Sequence, residues 1–166
     1  TKSRSISNKE TDILICLSRP KSGRLICSKL CDYFVRLYAS KEFLKKNKIF
    51  NINDLNEKPF VSYVDEFVEF PELDYLKEVC RRPKIVFSSN SLRSQLMAVE
   101  TGLGLGLLHT FIASNNPNLN VVLKNFIKIK REYWIVVHEN NHQLERIKVF
   151  CDFLREIVKK KIYNFD

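Results

Sequence analysis

The stretch Ala98-Val99-Glu100-Thr101-Gly102-Leu103-Gly104-Leu105-Gly106-Leu107-Leu108 holds three of the chain's four glycines, spaced two residues apart. Upstream of it, Leu92, Leu96 and Val99 recur on one helical face, and Ser89-Asn90-Ser91 supply candidate caps at the helix start. Gly102 falls where such a helix ends, because glycine enters the left-handed conformation without steric cost. The Leu-Gly-Leu-Gly-Leu alternation that follows reads as a strand with leucines on one side and a nearly bare backbone on the other. A bare strand face marks close approach by another backbone or by a ligand. The stretch is superficially like a dinucleotide fingerprint, but that loop follows a strand and opens a helix, and here the order is reversed.

Working outward, the chain alternates short apolar runs with helical periods. Asp12-Ile13-Leu14-Ile15-Cys16-Leu17 reads as a strand buried on both faces, ending in the loop Ser18 to Gly23. Residues 24–29 and 33–39 read as two extended pieces, and Ser40 caps a short helix over 41–46. Residues 51–55 open a brief turn or helix, and Pro59 to Tyr63 read as a strand ending in a loop. Residues 72–79 form a helix entered at Pro71, with Leu73 and Leu76 inward. Lys84 to Ser88 is a strand feeding the glycine-ended helix, and 110–113 give one helical turn. Residues 121–129 and 133–138 are extended. The last element is an amphipathic helix whose stripe is Leu144, Ile147, Phe150, Cys151, Leu154, Ile157 and Val158. Strands alternating with helices define an α/β architecture.

Composition narrows the function classes. With 166 residues and 45% hydrophobic content, the chain can bury a core. No apolar run reaches the roughly 18 residues needed to span a bilayer, and residues 1–10 lack the apolar stretch of a signal peptide. Five cysteines without a CxxC pair read as free thiols of a reduced, cytoplasmic protein. The net charge of +9 is scattered, with small clusters at Lys45-Lys46, Arg81-Arg82 and Lys159-Lys160-Lys161 and no interleaved stacking aromatics. It reads as a solvated basic surface, with direct nucleic-acid binding as a weaker rival.

His109, His138 and His142 read as loop or surface residues and complete no metal set at zinc spacing. No local pattern supports a nucleophile–base pair, so neither catalytic residues nor a cofactor are expected. Ser88-Ser89-Asn90-Ser91 is the richest motif: amides at a helix start beside hydroxyl and amide side chains suit an anion or carboxylate. Plain N-capping is the competing reading, although one cap needs fewer polar residues.

Taken in order, several motifs resemble the effector-binding domain of LysR-type transcriptional regulators. They are Asp12-Ile13-Leu14-Ile15 with Arg19-Pro20, Leu37-Tyr38-Ala39-Ser40 with Phe43-Leu44, and Asp54-Leu55. Further on come Ser89-Asn90-Ser91, Ala98-Val99 to Gly104, Tyr133 to His138, and the helix around Val149 to Leu154. The resemblance implies a periplasmic-binding-protein-like fold: two Rossmann-like lobes joined by crossover strands, with an effector cleft between them. Residues 1–30 and 137–166 would form lobe I, and 31–136 lobe II. Family members begin this domain with a further strand-helix-strand-helix portion, preceded by a winged helix-turn-helix. The first lobe is therefore expected to be incomplete.

By position, the resemblance puts Ser18, Arg19, Ser62, Tyr63, Ser89, Asn90 and Ser91 at the effector. Arg19 would pair with a carboxylate or phosphate, and Tyr63 would pack on the effector's apolar part. Arg19 as a solvated loop charge and Tyr63 as core edge remain the plain alternatives. His109 stands where the family commonly has proline, so the loop there is expected to bend differently. The implied function is a non-enzymatic sensor that binds a small, anionic metabolite and modulates transcription. It would self-associate as a dimer or tetramer and contact DNA through an N-terminal domain outside this chain, away from membranes. A solute-binding protein of similar fold, serving transport, is the alternative.

Overall fold

The computed structural model describes residues 11–64 and 71–162, with residues 161 and 162 described by their backbone alone. The polar start over 1–10 lies outside the described residues. The chain divides into two units: residues 1–33 with 131–166, and residues 34–130.

In the first unit, β1 (Ile13–Cys16) pairs antiparallel with β7 (Ile129–His138), with Ile15 opposite Ile135. β7 lies between β1 and the long strand β2 (Leu25–Ser40). The two extended pieces expected over 24–29 and 33–39 are thus one 16-residue strand, which passes from one unit to the other at Tyr33. Lys29 ties β2 to β7 through Glu132, at 2.7 Å, and also pairs with Asp32. The hydrogen bonds to Asp32 and then Glu132 push its ammonium pKa upward. α5 (Glu145–Ile162) covers one face of this sheet: Ile147 and Cys151, with Leu154 beside them, pack on Ile13, Leu30, Ile135 and Val137.

Two expectations fail in this unit. β1 is a half-exposed edge strand and not a doubly buried one, because among the described residues it has a strand neighbour on one side only. The single apolar stripe of α5 also splits, since Phe150 and Ile157 are exposed while Ile147 and Cys151 are buried. The apolar face is wider than the sheet beneath it.

In the second unit the strand order is β2, β5 (Leu105–His109), β3 (Pro59–Ser62), β4 (Lys84–Ser88). The short β6 (Leu119–Val121) pairs with β2 at Tyr38 to Ser40. β5 runs antiparallel to β2 and parallel to β3, and β4 runs parallel to β3. Ser40 caps α1 (Lys41–Lys46) by accepting from the Phe43 amide at 3.1 Å. Asn51 and Asp54 form a capping box for the 3₁₀ turn Ile52–Leu55.

The helix expected from Pro71 is a 3₁₀ turn, Pro71–Leu73, followed by α2 (Tyr75–Val79). Tyr75 and not Leu73 or Leu76 is the buried residue there. Residues 122–128 form no strand. Leu123 has φ 51° and its carbonyl accepts from Phe126 and Ile127, which makes a turn whose apolar Val122 and Ile127 are buried by packing.

α3 (Leu92–Glu100) lies on β5. Its end is a Schellman pair: the Leu103 amide donates to Ala98 and the Gly102 amide to Val99, with Gly102 at φ 83°. The bare side of the glycine strand is occupied by protein. A Cβ on Gly104 would lie 2.6 Å from the Pro59 carbonyl oxygen, and one on Gly106 would run into Val99. Val99, Leu108, Tyr38, Val61, Ala113 and Leu119 form the core beneath α3 and α4 (Thr110–Ala113).

Candidate functional site

The carboxyl ends of the parallel strands β3 and β4 lie side by side, Ser62 opposite Ser88, and α3 starts just beyond. In open α/β sheets this is where ligands are held. The structure brings five of the expected residues together here. The Ser89 amide donates to the Ser62 carbonyl at 3.0 Å, joining the two strand ends. The Val64 amide donates to Asn90 Oδ1 at 3.3 Å, and the Ser91 amide to Ser89 Oγ at 3.1 Å. Ser91 is the N-cap of α3, its Oγ accepting from the Ser94 amide.

Capping therefore uses only one of the small polar residues. Together they shape the loop in a particular way: Ser89 Oγ, Ser91 Oγ and Asn90 Oδ1 all act as acceptors. Each hydroxyl keeps its proton for donation, and Asn90 keeps its amide N–H groups. The first amides of α3 add to them, since the opening N–H groups of a helix have no intrahelical partner. The outward chemistry of this strand–helix junction is that of a donor cluster at a positive helix end. It suits a carboxylate or phosphate.

Tyr63 is half-buried and meets Tyr75 edge to face, ring centroids 6.3 Å apart. Tyr75 in turn meets His109, with its hydroxyl 3.4 Å from Nε2, and His109 meets Phe111. Tyr63 is thus the outer rung of an aromatic ladder. His109 corrects the expectation of a loop or surface histidine, being 1% exposed at the end of β5. Burial pushes its pKa down to about 4, so the ring is neutral at pH 7. Its φ of −65° lies in the range that a proline ring would also impose.

Ser18 and Arg19 lie in the first unit, in the loop after β1, and both are exposed. The Arg19 guanidinium sits 5.7 Å from the centroid of Trp134, a cation–π contact that holds it over β7. Sequence reasoning missed Gln95, which is 2% exposed and donates from Nε2 to the Ser89 carbonyl at 2.6 Å. Its place one turn before the buried Val99 was the available signal. A separate pocket of about 300 Å³ lies in the second unit among Glu42, Lys46, Asn47, Pro59, Gly102 and Leu103, and includes none of the expected residues.

Among the described residues no cluster of three metal-ligating side chains occurs, and no helix is long and apolar enough to cross a membrane.

Comparison with known proteins assigns the fold. The family model for the LysR substrate binding domain matches residues 3–159, and the chain belongs to that family. The regulatory domain of CrgA, a LysR-type transcriptional regulator from Neisseria meningitidis, superposes with a TM-score of 0.76 at 19% identity. That match covers 91% of this chain and 77% of that one. The Synechocystis PCC6803 CcmR regulatory domain, solved in complex with 2-PG, gives 0.65 at 19% identity, over 93% and 76%. Vibrio fischeri DarR, solved in complex with DNA, gives 0.69 at 11% identity, over 90% and 53%. No curated protein matches the sequence. The architecture is accordingly the two-lobed, periplasmic-binding-protein-like fold of LysR regulatory domains, and the role of the family is effector sensing in regulation.

Proposed function

We propose that this chain is a cytoplasmic, non-enzymatic sensor module that binds a small anionic metabolite at the end of β3 and β4. Residues 1–30 and 137–166 would serve as lobe I and residues 31–136 as lobe II. Ser62, Ser89, Asn90 and Ser91 would supply neutral donors, Tyr63 an apolar wall with a hydroxyl, and Ser18 with Arg19 further contacts to the anion. One observation carries the reading: the polar side chains of the loop accept from backbone amides, so what they turn outward is hydrogen-bond donors. The CcmR regulatory domain was solved in complex with 2-PG, which makes 2-PG a first ligand to test here.

In an intact regulator, effector binding would favour one arrangement of the domain and change DNA contacts made by a segment outside this chain. The DNA complex of DarR supports that step. Self-association as a dimer or tetramer belongs to the same reading.

The test is a thermal-shift screen of small carboxylates and phosphates, with 2-PG among them, followed by titration of the best ligand. Arg19→Ala or Asn90→Ala is expected to weaken binding by about 10- to 100-fold, the worth of one hydrogen bond to a charged group. Affinity unchanged in both variants would remove the site.

A further inference from the structure

The two ends of α3 carry opposite chemistry. Its start lies at the β3–β4 junction, and the residues that close it border the separate cavity of about 300 Å³. That volume is at the lower end for small-molecule pockets. The cavity lies wholly within the second unit and shares no residue with the anion junction.

Phe43, Pro59 and Leu103 give it an apolar lining, and Leu103 is 45% exposed. The uncharged polar groups that line it are acceptors. Asn47, the C-cap of α1, and Thr101, the C-cap of α3, both border the cavity. Asn47 Nδ2 donates to the Phe43 carbonyl at 3.2 Å, which spends the donor side of the amide and leaves Oδ1 to accept. The Thr101 hydroxyl donates to the Ala98 carbonyl at 2.9 Å and keeps its lone pairs. The closing carbonyls of α3 add partial negative charge, because the last C=O groups of a helix have no intrahelical partner.

The charged lining points the same way. Among the described residues around the cavity, Glu42 and Lys46 form one ion pair at 3.4 Å, with side chains 73% and 76% exposed. An ammonium group thus already rests on Glu42, loosely and on a long solvated side chain. Exposed pairs of this kind are weak and exchange partners readily. Lys46 is a stand-in that an incoming ammonium can displace.

We propose that this cavity binds a small organic ammonium ion with an apolar body. The cationic head replaces that of Lys46 on Glu42 and donates to Asn47 Oδ1 and Thr101 Oγ1. The body packs on Phe43, Pro59 and Leu103. A carboxylate of the same shape is disfavoured, since it would meet Glu42, two acceptors and a negative helix end, with Lys46 alone in its favour.

Titration of the ¹⁵N-labelled full chain with a matched pair of probes tests this. Isopentylamine and 4-methylpentanoate carry the same branched body and opposite charges. The amine is expected to shift the amides of Phe43, Asn47, Thr101, Gly102 and Leu103 saturably, with a Kd in the millimolar range that suits about six heavy atoms. The carboxylate is expected to leave them in place. Glu42→Gln, at an exposed position, is expected to weaken the amine by about 10-fold or more, the worth of a hydrogen bond to a charged group. Lys46→Ala is expected to strengthen it by about twofold, because the competing ammonium is gone. A residue that merely shaped the cavity would weaken binding when removed, so this gain is the distinguishing readout. Equal or tighter binding of the carboxylate would overturn the proposal. So would an amine affinity indifferent to Glu42→Gln, or amine shifts scattered over other surface carboxylates with the cavity silent.

Discussion

His109 shows how one residue acquires a property that its sequence neighbours do not announce. It ends a glycine-rich strand, faces Tyr75 and Phe111, and is kept neutral by burial, with a pKa near 4 in the folded chain. An unfolded histidine takes up its proton near pH 6.5, so between pH 6.5 and about 4 the unfolded chain binds a proton that the folded chain does not. The stability associated with neutral His109 is therefore complete above pH 6.5, declines as the pH falls, and levels off below about 4. Denaturant unfolding at a series of pH values is expected to show a loss between pH 7 and 4 that exceeds that of His109→Gln by up to about 3 kcal/mol. Identical pH profiles would mean that the ring is not buried as described.

At the scale of elements, the joint between α3 and β5 was the most readable part of the chain. Glycine has few reasons to recur at period two, and the helix stop at Gly102 followed from its conformational freedom alone. What the alternation left open was the visitor on the bare face. It proves to be the Pro59 carbonyl on one glycine and Val99 on the next. Gly104→Ala would push a methyl group into backbone that has no room to give. It is expected to destabilise the chain by about 2–3 kcal/mol in denaturant unfolding. A loss below about 0.5 kcal/mol would show that β3 and β5 are further apart.

Elements whose placement depends on distant partners were harder to read. The apolar run at β1 looks the same in sequence whether a strand has one neighbour or two. The stripe of α5 likewise counts apolar residues without showing how much sheet lies beneath them. The turn over 122–128 reads as a strand because Val122 and Ile127 are buried as strand residues are, although the Leu123 carbonyl closes a turn there. Gln95 escaped notice because a polar residue on an apolar face declares itself only when its partner, the Ser89 carbonyl, is placed.

For the molecule as a whole, the family and fold were legible because many weak motifs occur in a fixed order. The candidate site was legible in part, since Ser62, Tyr63 and Ser89 to Ser91 converge while Ser18 and Arg19 belong to the other unit. The central claim is that the β3–β4–α3 junction receives an anion. Amide chemical shifts of the ¹⁵N-labelled chain, followed during titration with 2-PG or the best ligand of the screen, test it most directly. Saturable shifts are expected at Ser62, Tyr63 and residues 89 to 93, and Asn90→Ala should weaken them. Shifts confined to the pocket between Glu42 and Leu103, with the serine loop silent, would contradict the account.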